Sequence, residues 1–448
     1  MISKLNGEGH LWKKAISDSS HYMISTLCLK LMSFLVIPIL TRSFSIEEFA
    51  LYDLFLSFYA FLFIVLGLGL DSGTAILLTD SKGEEQKLSF ILVVSLVSSL
   101  CASVLFLFIS LAFLSIRNDT LFTLEQWVVL CLYTTVGLQS YLMVNFCRFN
   151  GQVKSAAYAS LASSLVGMCG GIIYVIYFDG AVIEYLYALL FGACFGLFVC
   201  LVILRKTLLN FKMKKPEAGE LKELFALSFP FVPNYVGNSL IQLTDRFIVL
   251  AILDLKALGI YALASRIASI PAIAVSVVSK GFLPVLLRNH TSESGRAFSR
   301  QVFHFYVVCL PICVVASFFV SDELVALFGG DKFAEVSAII PIMMCSVLVF
   351  ASTYMGGFGF VIKRKTYQIA YLTYFSLAVN LVASYFLGIY YGMLGVVLGT
   401  LLASILRAML YMKCSERLYL FGYRLNLVGM VFLTTAFLSL LLNKLSVP

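Results

Sequence analysis

The sequence predicts an all-α polytopic membrane protein, and three observations carry that prediction. Hydrophobic residues fill 60% of the 448 positions and charged residues 12%, with a mean hydropathy of +0.96; an average soluble domain carries roughly twice that charge. Apolar windows of the ~20 residues needed to cross a bilayer core recur along nearly the whole chain. The basic residues between those windows fall mostly on alternate loops. The same numbers exclude a disordered chain, a coiled coil, a disulfide scaffold and a nucleic-acid module, each of which needs more charge or a short, Cys-dense chain.

Taken in order, the windows place spans at 21–41, 50–71, 88–114, 126–147, 157–178 and 183–204. After a polar stretch they resume at 225–253, 257–287, 301–320, 336–361, 367–389 and 392–412. The predicted organisation is an N-terminal six-span lobe over 1–204, a cytoplasmic basic linker over 205–224, a C-terminal six-span lobe over 225–412 and an extra hydrophobic segment over 413–448. Within that segment 425–443 is long enough to be a thirteenth span, or to lie against the bundle. The polar start (Lys4, Glu8, Lys13, Lys14) shows no small-residue cleavage site, so the first span is expected to stay in the membrane. Eleven cysteines lie in or beside apolar segments without paired C-x-x-C spacing and read as small hydrophobes.

Orientation follows from the loops. Of the 32 Lys and Arg, 22 fall in the N-terminal segment and the loops after even-numbered spans. Only Arg42, Arg117, Lys256, Lys332 and Lys444 fall on the other side, which predicts a cytoplasmic N-terminus. The external loops are short, which argues against a membrane glycosyltransferase or polymerase, and no G-x-x-x-x-G-K-[ST], H-E-x-x-H or EF-hand loop is present. The expectation is a transporter, not an enzyme, with no cofactor.

The two sets of six spans share local sequence. Glu48-Phe49-Ala50-Leu51-Tyr52-Asp53-Leu54 matches Ala257-Leu258-Gly259-Ile260-Tyr261-Ala262-Leu263 at an offset of 209; Lys154 and Lys365 precede fifth spans at 211, and Asp179-Gly180 and Tyr391-Gly392 precede sixth spans at 212. An even number of spans per half makes the halves parallel repeats related by an axis along the membrane normal.

The segment from Thr41-Arg42-Ser43-Phe44-Ser45 through Glu48-Phe49-Ala50-Leu51-Tyr52 resembles the first interspan loop of the polysaccharide transporter family. These are the O-antigen flippases (Wzx-type) of the multidrug/oligosaccharidyl-lipid/polysaccharide exporter superfamily. Thr244-Asp245-Arg246-Phe247-Ile248-Val249 and Gly259-Ile260-Tyr261 through Ala264-Ser265-Arg266-Ile267 resemble it as well. The likeness implies two six-helix lobes around a central cavity that opens alternately to each side. It implies a bacterial inner-membrane protein working beside the polysaccharide polymerase and chain-length machinery, with membrane lipids around it and no nucleic-acid partner.

Five bases remain inside the spans: Lys30, Arg246, Arg266, Lys280 and Arg407. Each costs about 2.5–3.5 kcal/mol if it faces lipid, so they are expected to face inward. Helical angles set polar residues beside them: Tyr22, Thr26 and Ser33 with Lys30; Asn234, Asn238, Gln242 and Asp245 in span seven; Ser269 and Ser276 with Arg266 and Lys280; and Thr400, Ser404 and Tyr411 with Arg407. Substrate contacts are therefore expected from the five bases together with Asn234, Asn238 and Gln242, and coupling to a proton or sodium ion from Asp53 and Asp245. Lys280 can instead snorkel to an interface, and Asp245 can instead neutralise an arginine of a neighbouring helix. Pro38, Pro230 and Pro233 break backbone bonds in the first span of each half, which suits helices that bend.

A cavity with more bases than acids favours an anionic headgroup. The family resemblance makes that headgroup a polyprenyl pyrophosphate carrying a short oligosaccharide, moved from the cytoplasmic to the periplasmic leaflet by alternating access. The alternative is a cation-coupled multidrug exporter of the same superfamily, which would want acids in the cavity.

Overall fold

The computed structural model describes residues 28–80, 85–116, 122–149, 152–178, 181–209, 218–363 and 365–446. Tyr22 and Thr26 of the first polar stripe, and the Lys280 side chain, lie outside the described residues. The all-α expectation is met: among the described residues there is no strand, and nine helices are long and apolar enough to cross a membrane.

The helices are α1 (28–43), α2 (Ile46–Gly67), α3 (Leu70–Asp80), α4 (Glu85–Ile116), α5 (Leu124–Phe149), α6 (Val153–Tyr177), α7 (Val182–Leu209) and α8 (Ala218–Ser228). There follow α9 (Val232–Ile252), α10 (Leu255–Asn289), α11 (Glu293–Phe328), α12 (Ile340–Ala351), α13 (Thr353–Gly356), α14 (Phe358–Ile362), α15 (Thr366–Leu418) and α16 (Leu425–Ser446). By packing the chain forms two compact units, one of residues 1–43 and 55–235, the other of 44–54 and 236–448. The N-terminal half of α2 therefore packs with the second unit.

In the first unit, α6 and α7 lie backbone to backbone: a Cβ on Gly192 would sit 2.5 Å from the Gly167 Cα, and Ser163 Oγ donates to the Gly192 carbonyl at 2.9 Å. A Thr123/Gln126 capping box opens α5, Thr123 N to Gln126 Oε1 at 3.0 Å and Gln126 N to Thr123 Oγ1 at 3.3 Å. The span expected at 50–71 is broken: Leu68 (φ 50°) and Gly69 (φ 68°) separate α2 from α3. A Cβ on Gly69 would strike the Ser228 carbonyl, so close approach of the α8 end turns the chain where the apolar pattern runs on.

The second unit is built round α12, buried at Ile340 through Ser346 and at Leu348, Val349 and Ala351. A helix apolar on all sides belongs in the middle of a bundle, and α10, α11, α15 and α16 pack against it. α15 holds two of the expected spans, which meet at Gly392 (φ 60°, ψ −138°), a conformation costly for any residue with a Cβ. The halves then run side by side: Asn380 Nδ2 lies 3.4 Å from Thr400 Oγ1, Ser384 Oγ donates to the Val396 carbonyl at 3.3 Å, and a Cβ on Gly399 would overlap Ser384.

Candidate functional site

Of the polar residues singled out by sequence, Asp53, Asn238, Gln242, Asp245, Arg246, Arg266 and Arg407 fall in three clusters inside the second unit. The first begins at the N-terminus of α2. Ser45 and Glu48 form a capping box, Ser45 N to Glu48 Oε2 at 2.8 Å and Glu48 N to Ser45 Oγ at 3.1 Å, which fixes where the helix starts. Phe49 is fully buried with its ring edge-on to Phe333 at 5.7 Å, Lys332 Nζ donates to the Phe44 carbonyl at 3.3 Å, and Gly259 lets α10 press against Ile46. These contacts anchor the first turn of α2 and deliver Asp53, one turn on from Phe49, into the bundle.

Asp53 is 1% exposed and receives two arginines. Arg246 Nε donates to Oδ2 at 2.7 Å; Arg266 donates to Oδ1 from Nε at 2.9 Å and from Nη2 at 2.7 Å. Arg246 Nη1 also reaches the Gln242 carbonyl at 2.9 Å, and the Arg266 guanidinium lies 5.4 Å from the Tyr52 ring. One carboxylate against two guanidiniums leaves a single positive charge, bound into a network whose charge-assisted bonds are roughly twice as strong as neutral ones.

The second cluster surrounds Asp245, next in the chain to Arg246 but in a different network. Tyr261 donates to Oδ2 at 2.9 Å, and Thr400 Oγ1 lies 3.2 Å from Oδ1. The Thr400 hydroxyl is also 3.0 Å from the Val396 carbonyl, so its one proton serves one acceptor at a time. Asn380 Oδ1, buried beside this group, has no hydrogen-bond partner among the described residues.

Arg407 forms the third cluster. It is 4% exposed, its Nη2 donates to Asn238 Oδ1 at 2.9 Å, and its guanidinium sits 4.5 Å from the centre of the Phe350 ring. Its Nε and Nη1 are buried without a hydrogen-bond partner among the described residues, and it forms no ion pair there, whereas Arg246 and Arg266 both do. A buried cation without an anion is costly, so the position calls for a reason other than stability.

Of the sequence-predicted residues, Asp53, Arg246 and Arg266 meet directly, Gln242 joins them through its backbone, and Arg407 meets Asn238. Asp245 meets the Tyr261 and Thr400 hydroxyls and the Asn380 amide. Lys30 and Asn234 belong to the first unit, and the Lys30 carbonyl accepts Ser33 Oγ at 2.7 Å. Ser269 and Ser276 turn back onto carbonyls of their own helix. Sequence reasoning gave no site role to Tyr261, Asn380 or Phe350; an amide in the middle of an apolar span was the available signal for Asn380. Among the described residues no group of three or more His, Cys, Asp or Glu is placed to hold a metal ion.

Residues 15–290 match the family model described as polysaccharide biosynthesis protein. Among solved structures, the chain is similar to the inward-facing conformation of a multidrug resistance MATE family transporter of the MOP superfamily, with a TM-score of 0.71 at 15% identity over 91% of this chain and 99% of that one. An outward-facing conformation of a transporter so described gives 0.63 at 15% identity, covering 93% and 96%. A Vibrio cholerae MATE transporter gives 0.64 at 14% identity, covering 92% and 98%. No curated protein sequence matches the chain. The fold is that of the MATE transporters.

Proposed function

The chain belongs to the polysaccharide biosynthesis protein family, and we propose that within it the protein is a flippase for a polyprenyl-diphosphate-linked oligosaccharide, an O-antigen or related surface-polysaccharide repeat unit. It would take the unit from the cytoplasmic to the outer leaflet of the inner membrane by alternating access of two lobes, over 1–204 and 225–412. One observation carries the choice of an anionic substrate: Arg407 is a buried cation with two unused donors and no carboxylate among the described residues. A phosphoryl group is the ligand that a guanidinium in a low-dielectric site binds best, through paired N–H donors. Arg246 and Arg266 already share Asp53, so in this reading they hold α2 in place and supply a background positive field.

The energetics are permissive without ATP. With the cell interior negative, outward movement of an uncompensated anion is downhill by about 2.3 kcal/mol per charge per 100 mV. Coupling to a proton or sodium ion, if the cycle uses one, falls to Asp245, which makes no ion pair among the described residues, in preference to Asp53 with its two arginines. The same carboxylate is the feature that favours a second reading, export of a cationic drug.

Deletion of the gene separates the two readings. A flippase leaves lipid-linked oligosaccharide stranded on the cytoplasmic leaflet and the cell without the corresponding surface polymer. Drug sensitivity with normal polymer would reject the flippase and favour the exporter.

A further inference from the structure

The turn between α15 and α16 is held against α11 by bonds separate from the three polar clusters. Glu416, in the last turn of α15, accepts the backbone N–H groups of Phe421 at 3.2 Å, Gly422 at 2.5 Å and Tyr423 at 3.2 Å. Tyr423 packs its ring on Phe303 with centroids 4.5 Å apart and shares a hydrogen bond with Ser299 at 3.3 Å. Gly422 (φ 82°) makes the bend, and a Cβ there would stand 3.0 Å from Arg300 Nη1. Arg424, just before α16, is thereby delivered to α11: its N–H donates to His304 Nε2 at 3.4 Å, and His304 lies one turn on from Arg300. The charges of both arginines act on the His304 ring.

Both arginines are exposed, and neither forms an ion pair among the described residues. The acid of the turn, Glu416, is committed to its three N–H groups. Arg300 and Arg424 also stand at the boundaries of the expected spans 301–320 and 425–443. From there exposed apolar side chains continue on both helices, which pack side by side: Val308 and Ile312 follow His304 at four-residue steps, and Leu427 and Met430 follow Arg424. We propose that this surface binds an anionic phospholipid of the surrounding bilayer, its phosphate held by Arg300 and Arg424 and its acyl chains lying on α11 and α16. Guanidiniums are the donors that suit a phosphate, and basic pockets at the ends of membrane helices take anionic headgroups. A single arginine at such a boundary reaches for water and needs no ligand; here two from different helices converge on one histidine. A free phosphate would use the charge and leave the apolar rows unused. A zwitterionic lipid would bring its own cation to the arginines. Half of the site comes from the segment beyond the twelve expected spans.

The site stands whichever cargo the protein moves. Native mass spectrometry of the purified full chain, titrated with phosphatidylglycerol or with phosphatidylcholine of the same acyl chains, reads the ratio of the two affinities. The wild type is expected to prefer phosphatidylglycerol. Arg300→Gln combined with Arg424→Gln should cut that ratio by about tenfold or more, as the loss of two bases implies, with phosphatidylcholine binding unchanged. A charge-matched control, Lys154→Gln with Arg205→Gln, removes two exposed bases of the first unit and should keep the wild-type ratio. No preference in the wild type, an unchanged ratio in the Arg300/Arg424 variant, or an equal loss in the control would overturn the site. If the double variant does not fold, Arg424→Gln alone decides by the same ratio: a fall of about threefold supports the site and an intact ratio overturns it. Displacement of phosphatidylglycerol from the wild type by equimolar polyprenyl diphosphate would assign the two arginines to a carrier lipid and overturn the phospholipid site.

Discussion

Replacing Arg407 by glutamine should separate function from stability in a way that replacing Asp53 does not. The substitution removes a bond from a charged donor to Asn238, worth about 1.5–3 kcal/mol, and a cation–π contact over Phe350, worth about 0.5–2 kcal/mol. Against that, it removes a buried charge with no counter-ion among the described residues, whose desolvation costs several kcal/mol. The opposing effects nearly cancel, so the melting temperature should stay close to that of the wild type or rise. Transport should behave differently. Loss of one charge-assisted bond to a phosphoryl group, about 1.5–3 kcal/mol, lowers flux about 10- to 150-fold at 1.36 kcal/mol per decade. Asp53→Asn provides the contrast: it leaves Arg246 and Arg266, 11% and 19% exposed, without their shared counter-ion, and removing one partner of a buried pair costs about 3–5 kcal/mol. Thermal melts in detergent and surface polymer at matched membrane levels read the two effects. Near-normal polymer in Arg407→Gln would refute the assignment of its free donors to substrate; a melt as depressed as that of Asp53→Asn would refute the claim that its charge is uncompensated.

Two further outcomes concern the packing of the second unit and two the orientation read from the loops. Asp245→Asn preserves shape and keeps the Tyr261 and Thr400 hydroxyls beside it, while giving up the attraction of the nearby Arg246 charge, so the melt should fall by about 0.5–1.5 kcal/mol; if Asp245 couples transport to an ion, the variant's flux loses its dependence on the ion gradient in vesicles. Gly259→Val should destabilise by about 1–3 kcal/mol, since a Cβ there overlaps the Ile46 carbonyl; an unchanged melt would mean that α2 starts elsewhere. A tag at Lys365 should be shielded from added probes in intact spheroplasts, given the 22 basic residues on that side, and labelling there would overturn the topology. A reporter fused after Pro448 should be periplasmic if 425–443 spans, and cytoplasmic activity would make that helix peripheral.

Single-helix reasoning could see which way a stripe faces, but not what meets it. The angular argument set Thr400, Ser404, Arg407 and Tyr411 on one face, and in the structure Thr400 reaches Asp245, Ser404 pairs with Ser346 at 3.1 Å and Arg407 reaches Asn238. The break between expected spans 367–389 and 392–412 was legible too, because Gly392 supplies a backbone state that other residues avoid. Illegible was the partnership of Asp53 with Arg246 and Arg266, which stand 193 and 213 residues away on other helices. Angles taken one helix at a time set Arg266 with Ser269, Ser276 and Lys280 and made Asp53 a coupling candidate, with nothing to bring the two together. The break at Leu68 escaped for a similar reason: its cause is the approach of Ser228, and nothing in the local apolar pattern records it.

The arginines of this protein therefore differ in what their surroundings leave them to do, although composition makes them equivalent. Arg246 and Arg266 are tied to a carboxylate on the segment 44–54, which packs with the second unit while the rest of the N-terminal chain forms the first. Their charge stabilises the docking of that segment, and a ligand drawing on it would have to compete with bonds of 2.7–2.9 Å already made. Arg407 has no such commitment: an amide and a ring face hold it in position, neither neutralises it, and two donors are spare. A transporter must release its cargo as well as bind it. A cation positioned by neutral groups meets that need, because an arriving anion displaces no resident carboxylate and leaves behind no group that must find a new partner. That asymmetry, more than the number of basic residues, is the reason to look for the phosphoryl contact at Arg407 first.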